Sequence, residues 1–199
     1  MPSAPADRLP IEIKPLGQAH DLTAFACGVK DLDEFLQNDA LRYAERRIAR
    51  VYVAMSGETV VGYVALVADS LILETNEKKR LKLEYRDPKY VPAIKVGRLA
   101  TCKPYAGRGV ATELLRFSID VANLASQYVG CRLLTLDALP GAISFYENLG
   151  FKRNKLANKT KGKGKDKDKK KPSKPGGSTT TSFRLDLRAE ELPDWFSAR

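Results

Sequence analysis

The sequence predicts a single α/β domain, and three observations carry that expectation. Residues 95–115, KVGRLATCKPYAGRGVATELL, run from an apolar strand through a glycine turn into the start of a helix. A second strand follows that helix at residues 131–138, and a short helix with Phe145 and Tyr146 follows the strand, so strand and helix periods alternate. Upstream, residues 51–55 and 60–67 alternate as two strands joined by the tight turn Ser56-Gly57-Glu58, a hairpin. A chain of 199 residues with 43% hydrophobic content can bury one good core and is short for two ordinary domains. The expected domain is therefore residues 1–199.

Taken in order, Ile11-Glu-Ile-Lys14 alternates as a first strand, which Pro15 and Gly17 interrupt. Leu32, Phe35, Leu36 and Leu41 then fall at near-helical spacing, with Asp31 placed as N-cap and Glu34 three residues on. After the hairpin, residues 69–91 hold the basic cluster Lys78, Lys79, Arg80 and Lys82 and read as a surface loop, either simply solvated or edging a substrate cleft. Residues 92–100 form the next strand, 110–128 a long helix, and 142–149 a short one ending in Gly150-Phe151. Strand alternation resumes over 180–187, and Leu192 to Trp195 make a small C-terminal appendage.

Composition narrows the chemistry. Residues 152–174 carry eleven lysines and Arg153 against Asp166 and Asp168, which is 12 − 2 = +10, and the whole chain is also +10. The rest of the protein is neutral. A segment so poor in apolar residues cannot offset the entropy of ordering, so residues 152–177 are expected to be a disordered loop between the last two strands. Attraction of nucleic acid to it would be electrostatic and weakened by salt. Cys27, Cys102 and Cys131 are odd in number and widely spaced, which argues against a disulfide framework or a metal cluster. His20 is the only histidine and reads as a surface or capping residue. No apolar run approaches a membrane span and residues 1–13 lack the apolar stretch of a signal peptide, so a cytoplasmic protein is expected.

The turn Tyr105-Ala-Gly-Arg-Gly-Val-Ala111 is a phosphate-binding layout. Gly107 and Gly109 allow a sharp turn and close approach, and the following helix aims its unbonded N–H groups and positive dipole end into that turn. The same pattern also occurs in ordinary strand-to-helix turns. Neither a complete dinucleotide fingerprint nor the Gly-Lys-Ser/Thr of a P-loop is present, which disfavours a dehydrogenase or a kinase.

Strand, glycine turn, long helix, strand and short helix with Phe145-Tyr146-Glu147 and terminal Gly150-Phe151 together resemble the GNAT superfamily of acetyl-coenzyme A-dependent N-acetyltransferases. The resemblance implies a mixed, mostly antiparallel sheet flanked by helices and splayed around a cofactor cleft. It implies acetyl-CoA as cosubstrate with no metal. Leu99, Ala100 and Thr101 would then line the pantetheine arm and acetyl group. Ala106, Gly107, Arg108, Gly109, Val110, Ala111 and Thr112 would wrap the pyrophosphate, and Tyr146 would be the general acid beside the thioester sulfur. One departure is Ala106, where the family usually has Gln or Arg.

Phe25 with Cys27-Gly28, Leu41-Arg-Tyr43, and Pro92 leading into Gly97-Arg-Leu-Ala100 look like the GNAT toxins of toxin-antitoxin pairs. That likeness implies acetylation of the α-amine of aminoacyl-tRNA, a ribbon-helix-helix antitoxin partner and a homodimer. Two alternatives stay open. One is acetylation of a protein N-terminus, lysine or small amine; the other is a degenerate acetyltransferase body acting as a nucleic-acid-binding module.

Overall fold

The computed structural model describes residues 9–84, 86–157, 180–188 and 192–197. Among these residues seven strands, β1 (Glu12–Pro15), β2 (Arg50–Ser56), β3 (Thr59–Ile72), β4 (Tyr90–Thr101), β5 (Leu133–Ala138), β6 (Lys152–Arg153) and β7 (Thr181–Asp186), form one open, mostly antiparallel mixed sheet in the order β1-β2-β3-β4-β5-β7-β6. The chain divides into two compact units, Met1–Ala68 with Val96–Leu124, and Asp69–Lys95 with Ala125–Arg199.

In the first unit, β1 and β2 pair antiparallel from Glu12↔Met55 to Pro15↔Tyr52, and β2 returns through Gly57-Glu58 into β3 with Ser56 opposite Thr59. The hairpin expected from the alternation is present. Helix α1 (Lys30–Glu34) runs through a π turn (Phe35–Asp39) into α2 (Ala40–Glu45). Phe25, Phe35, Leu36 and Ala40 pack there with Val51, Val53, Tyr63, Ala100 and Cys102. Aromatic edges set the spacing: Phe25 meets Tyr63 at 5.6 Å and Phe35 meets Tyr43 at 5.4 Å between centroids. The Tyr63 hydroxyl donates to the Leu32 carbonyl at 2.8 Å, so this buried phenol is satisfied.

Helix α4 (Val110–Ala125) buries Val110, Leu114, Leu115, Ser118, Ile119 and Ala122, the one-sided stripe its sequence period requires. It lies close against β3. A Cβ on Gly62 would stand 2.6 Å from Val110 Cγ1 and 3.1 Å from the Ala100 carbonyl oxygen, so the missing side chain is what admits the helix. The helix ends at Ala125, three residues short of the expected 128.

Asp31 is not the N-cap. The helix starts at Lys30 behind Val29, and it is Asp33 that reaches back, its carboxylate accepting the Cys27 N–H at 2.8 Å and the Gly28 N–H at 3.3 Å. His20 does serve a local turn, its Nδ1 lying 3.1 Å from the backbone of Gly17.

In the second unit, β5 and β7 pair antiparallel from Leu133↔Asp186 to Ala138↔Thr181, and β6 adds to the far side of β7 through Lys152↔Arg184. The expected surface loop at 69–91 is more ordered than its charges suggest. It contains the end of β3 and a helix α3 (Thr75–Arg80) opened by a capping box between Glu74 and Glu77. Leu71, Leu73, Leu81, Val91, Ala93 and Leu133 form the apolar cluster here. Beside it Glu77 is buried against Arg184 at 2.6 Å, with Arg184 also donating to Asn154 Oδ1 at 2.9 Å and the Arg153 carbonyl at 3.1 Å.

The lysine-rich segment therefore starts later than the expected residue 152. Lys152 and Arg153 are strand and Asn154 is buried, its amide donating to Ser182 Oγ at 2.9 Å. Residues 158–179, the bulk of that expected disordered loop, lie outside the described residues. The C-terminal appendage is a helical turn (Asp194–Ser197), in which the Trp195 indole N–H donates to the Leu149 carbonyl at 3.0 Å.

Removing one partner of the buried Glu77–Arg184 pair strands the other charge. Glu77→Gln or Arg184→Met is expected to cost about 3–5 kcal/mol in urea unfolding, and the double variant less than the sum of the two. Additive losses would mean that the pair does not act as a unit.

Candidate active site

The expected cradle is continuous in the first unit. Ala100 is buried in the core while Leu99 and Thr101 are half-buried, as the alternation of β4 requires. Thr101 Oγ1 is fully buried and has no hydrogen-bond partner among the described residues. Such a hydroxyl is about 1–3 kcal/mol worse off than a bonded one, so it marks a place where a ligand group would be stabilised.

A short 3-10 turn, Lys103–Tyr105, leads from β4 to the glycines. Ala106 is extended, and Gly107 (φ 78°) and Gly109 (φ 82°) both occupy the left-handed region. A Cβ added at either glycine would meet nothing within 4 Å, so glycine is required there by backbone conformation rather than by space. Ala106 through Gly109 are exposed, and the Arg108 guanidinium sits 5.9 Å from the Tyr105 ring centroid. Val110 is buried, Ala111 and Thr112 half-buried. The first helical bond is from the Glu113 N–H to the Gly109 carbonyl at 3.0 Å, which leaves the N–H groups of Val110, Ala111 and Thr112 at the open end of a 16-residue helix. The turn suits an anion held by backbone donors. In such a turn the side chain at position 106 matters less than the φ values at 107 and 109.

Beside the turn lies a cavity of about 380 Å³ that sequence reasoning did not find, lined by Arg108, Gly109, Thr112, Glu113 and Arg116 with Leu9 and Ile11. Arg116 Nη1 is 2.5 Å from Glu113 Oε1, one turn along the same face. Arg108, Thr112 and Arg116 stand four residues apart, and that spacing was the available signal.

Tyr146 belongs to the second unit. It sits on α5 (Ile143–Asn148) and is 7% exposed, among Phe145 at 5.1 Å, Phe151 at 5.7 Å and Phe183 at 6.3 Å. Phe145 is only half-buried, so the tyrosine is the more buried of this adjacent pair. Burial pushes its pKa up to about 12, and its hydroxyl has no hydrogen-bond partner among the described residues. The phenol therefore keeps its proton across the neutral range and has it to offer. Two carboxylates that the sequence did not single out lie on the strands of this unit. Asp69 accepts from Thr135 Oγ1 at 2.6 Å, and Asp137 pairs with Lys95 at 2.9 Å.

Cys27 is no nucleophile at neutral pH, since burial and then its hydrogen bond with Asp33 raise the thiol to about 11. Among the described residues no group of three or more His, Cys, Asp or Glu could hold a metal ion, and no helix is long and apolar enough to cross a membrane.

The raised tyrosine has a consequence for stability. The folded state holds this proton above the unfolded pKa of about 10, so the contribution is fully present below pH 10 and is lost as pH rises toward 12. Between those limits the wild type is expected to lose more stability than Tyr146→Phe, followed by denaturant melts across that range. Parallel curves would mean that the phenol ionises freely.

Residues 47–153 match the acetyltransferase (GNAT) domain. The chain is 31% identical over 138 residues to a tRNA-acetylating toxin of Mycobacterium tuberculosis, covering 69% of this chain and 81% of that protein. Among solved structures, a tyrosine-to-phenylalanine mutant of KacT superposes with a TM-score of 0.69 at 25% identity, over 89% of this chain and 95% of the other. AtaT complexed with acetyl-methionyl-tRNAfMet superposes at 0.68 and 24% identity, over 89% and 95% of the two chains. From the strand, glycine turn, helix and tyrosine-bearing helix to the matched span that contains them all, the chain belongs to the GNAT acetyltransferase family.

Proposed function

We propose that residues 1–199 act as one catalytic domain that transfers the acetyl group of acetyl-CoA to the α-amine of an aminoacyl-tRNA, and that the protein is a toxin blocking translation in the cytoplasm. The observation that carries the acceptor is the 31% identity, over most of its length, to a protein named as a tRNA-acetylating toxin. The net charge of +10 agrees with a polyanionic substrate. A ribbon-helix-helix antitoxin and a homodimer are the partners this reading implies.

Acetyl-CoA supplies an activated thioester that an amine can attack. The backbone of Leu99, Ala100 and Thr101 would align the pantetheine arm and acetyl group, and the Thr101 hydroxyl would gain a partner. Ala106 through Thr112 would hold the pyrophosphate with backbone N–H groups, at a helix end that favours negative charge.

Tyr146 is the proton holder. Burial raises its pKa above that of an ordinary thiol, which disfavours complete proton transfer to a departing thiolate. With acetyl-CoA bound, the phenol would serve as a hydrogen-bond donor to the thioester sulfur, a role in which a fixed donor in an apolar cage contributes most. The proton lost by the amine goes to solvent.

The test is incubation of the protein with total charged tRNA and labelled acetyl-CoA, with acetyl-aminoacyl-tRNA as the expected product. Label on protein or small amines alone would overturn the proposed acceptor. Tyr146→Phe should bind acetyl-CoA normally in calorimetry and lose about 10²–10⁴-fold in turnover, and full turnover would reduce Tyr146 to a packing residue.

Gly109→Glu should abolish acetyl-CoA binding in a protein that still melts cooperatively. It adds like charge to the pyrophosphate site and roughly 1–3 kcal/mol of strain at a positive φ. Wild-type affinity in that variant would place the cofactor elsewhere.

A further inference from the structure

Two cavities flank α3 within the second unit, and acetyl transfer as proposed uses neither. One, of about 710 Å³, has an apolar floor of Ile72, Leu73 and Leu83 with Lys78, Lys79 and Lys89 around it. The other, of about 520 Å³, is edged by Arg80, Lys152 and Lys155 beside the Glu77–Arg184 pair.

The charges around them are unevenly compensated. Lys78 donates to the carbonyls of Asp87 and Pro88 at 3.4 and 3.3 Å, and Arg153 pairs with Glu147 at 2.7 Å. Lys79, Arg80, Lys89, Lys152 and Lys155 are exposed and make no ion pair among the described residues. The acid nearest in sequence, Glu77, is buried and already taken by Arg184. Asp186 is held by Arg132 through two bonds of 2.6 and 2.8 Å, which leaves Glu84 as the exposed carboxylate lining these cavities. Next to Lys89, the Tyr90 ring is 57% exposed, with the ammonium 5.8 Å from its centroid.

Resting on the reading of an RNA substrate, we infer that α3 is the platform for the RNA strand. Lys79, Arg80, Lys152 and Lys155 take its phosphates, and Tyr90 offers a face to an unpaired base. Cations alone would suit any polyanion. An exposed aromatic ring next to Lys89, itself a lining residue of the first cavity, suits a single-stranded nucleic acid, in which every base has a face to stack. Because α3 is held from beneath by a buried pair, its outward cations are displayed on a fixed support.

The experiment uses the full chain, with the quadruple variant Lys79→Gln, Arg80→Gln, Lys152→Gln and Lys155→Gln and, separately, Tyr90→Ala. All five positions are exposed, and a cooperative melt checks the fold of each variant. Binding of a labelled oligouridylate is followed by anisotropy between about 50 and 200 mM salt. The quadruple variant should bind at least tenfold more weakly at the lower salt, and its slope of log affinity against log salt should fall by roughly 0.7 for each phosphate no longer neutralised. Tyr90→Ala should weaken binding about tenfold with the slope unchanged. For turnover, the quadruple variant should show a raised KM for charged tRNA and unaltered kinetics with an amino-acid amide.

Wild-type affinity and slope in the quadruple variant would overturn the platform, as would loss of polyglutamate binding with oligouridylate binding retained. A wild type that acetylates the amide but not charged tRNA would refute the substrate reading instead, and the oligonucleotide measurement would still decide the platform.

Discussion

The carboxylate of Glu77 is where three distant stretches of chain are made to meet. One oxygen accepts from Arg184 at 2.6 Å and the Lys155 N–H at 3.2 Å, and the other accepts from the Glu74 N–H at 3.0 Å, which opens α3. A helix of six residues does not hold its shape alone in water. Withdrawing two charges from water costs several kcal/mol per ion, and a single contact does not offset that. Here Asn154 Oδ1 and the Arg153 carbonyl also accept from Arg184 Nη1, so the ion pair is embedded in further hydrogen bonds. The same bonds hold β6, a strand of two residues, against β7. The basic helix and the strands on either side of the lysine-rich stretch are thus fixed by one shared set of bonds.

That network also explains what could be read in the chain and what could not. The turn at 105–111 was legible because left-handed backbone has few solutions, and the sequence writes glycine at Gly107 and Gly109 where it occurs. Helix α4 was legible through its apolar period. Helix α3 was not, because Thr75-Asn-Glu-Lys-Lys-Arg80 has no apolar period and its reason for folding is an arginine 107 positions away. Lys152 and Arg153 looked like the start of a disordered tract by composition. An edge strand pairs through its backbone and tolerates lysine side chains, so composition was the wrong guide at that boundary. Asp31 fitted a cap by its spacing, but the chain turns back at Gly28 (φ 88°) and brings two N–H groups to the carboxylate of Asp33 instead.

The candidate site shows the same division. Residues expected to contact a cofactor through backbone atoms could be placed by conformation alone, since the requirement is local. Tyr146 stood out in the sequence as a candidate, but which of Phe145 and Tyr146 turns inward depends on Phe151 and Phe183, and one of those lies beyond the lysine-rich stretch. Arg116, Leu9 and Ile11 share a cavity although they come from distant parts of the chain, and no local pattern announces that.

The burial of Tyr146 finally bears on which amine this enzyme can use. A phenol held near pKa 12 is protonated at every physiological pH, so it contributes a constant donor and no pH dependence of its own. Where no side chain takes the acceptor's proton, its removal rests on the acceptor's own acidity. An α-amine, with a pKa of about 7.7–8.0, is neutral in roughly one molecule in seven at pH 7, whereas a lysine amine at about 10.4 is neutral in roughly one in two and a half thousand. Without a strong base, that difference of some hundreds in reactive fraction favours an α-amine over a lysine, independently of any likeness to known toxins.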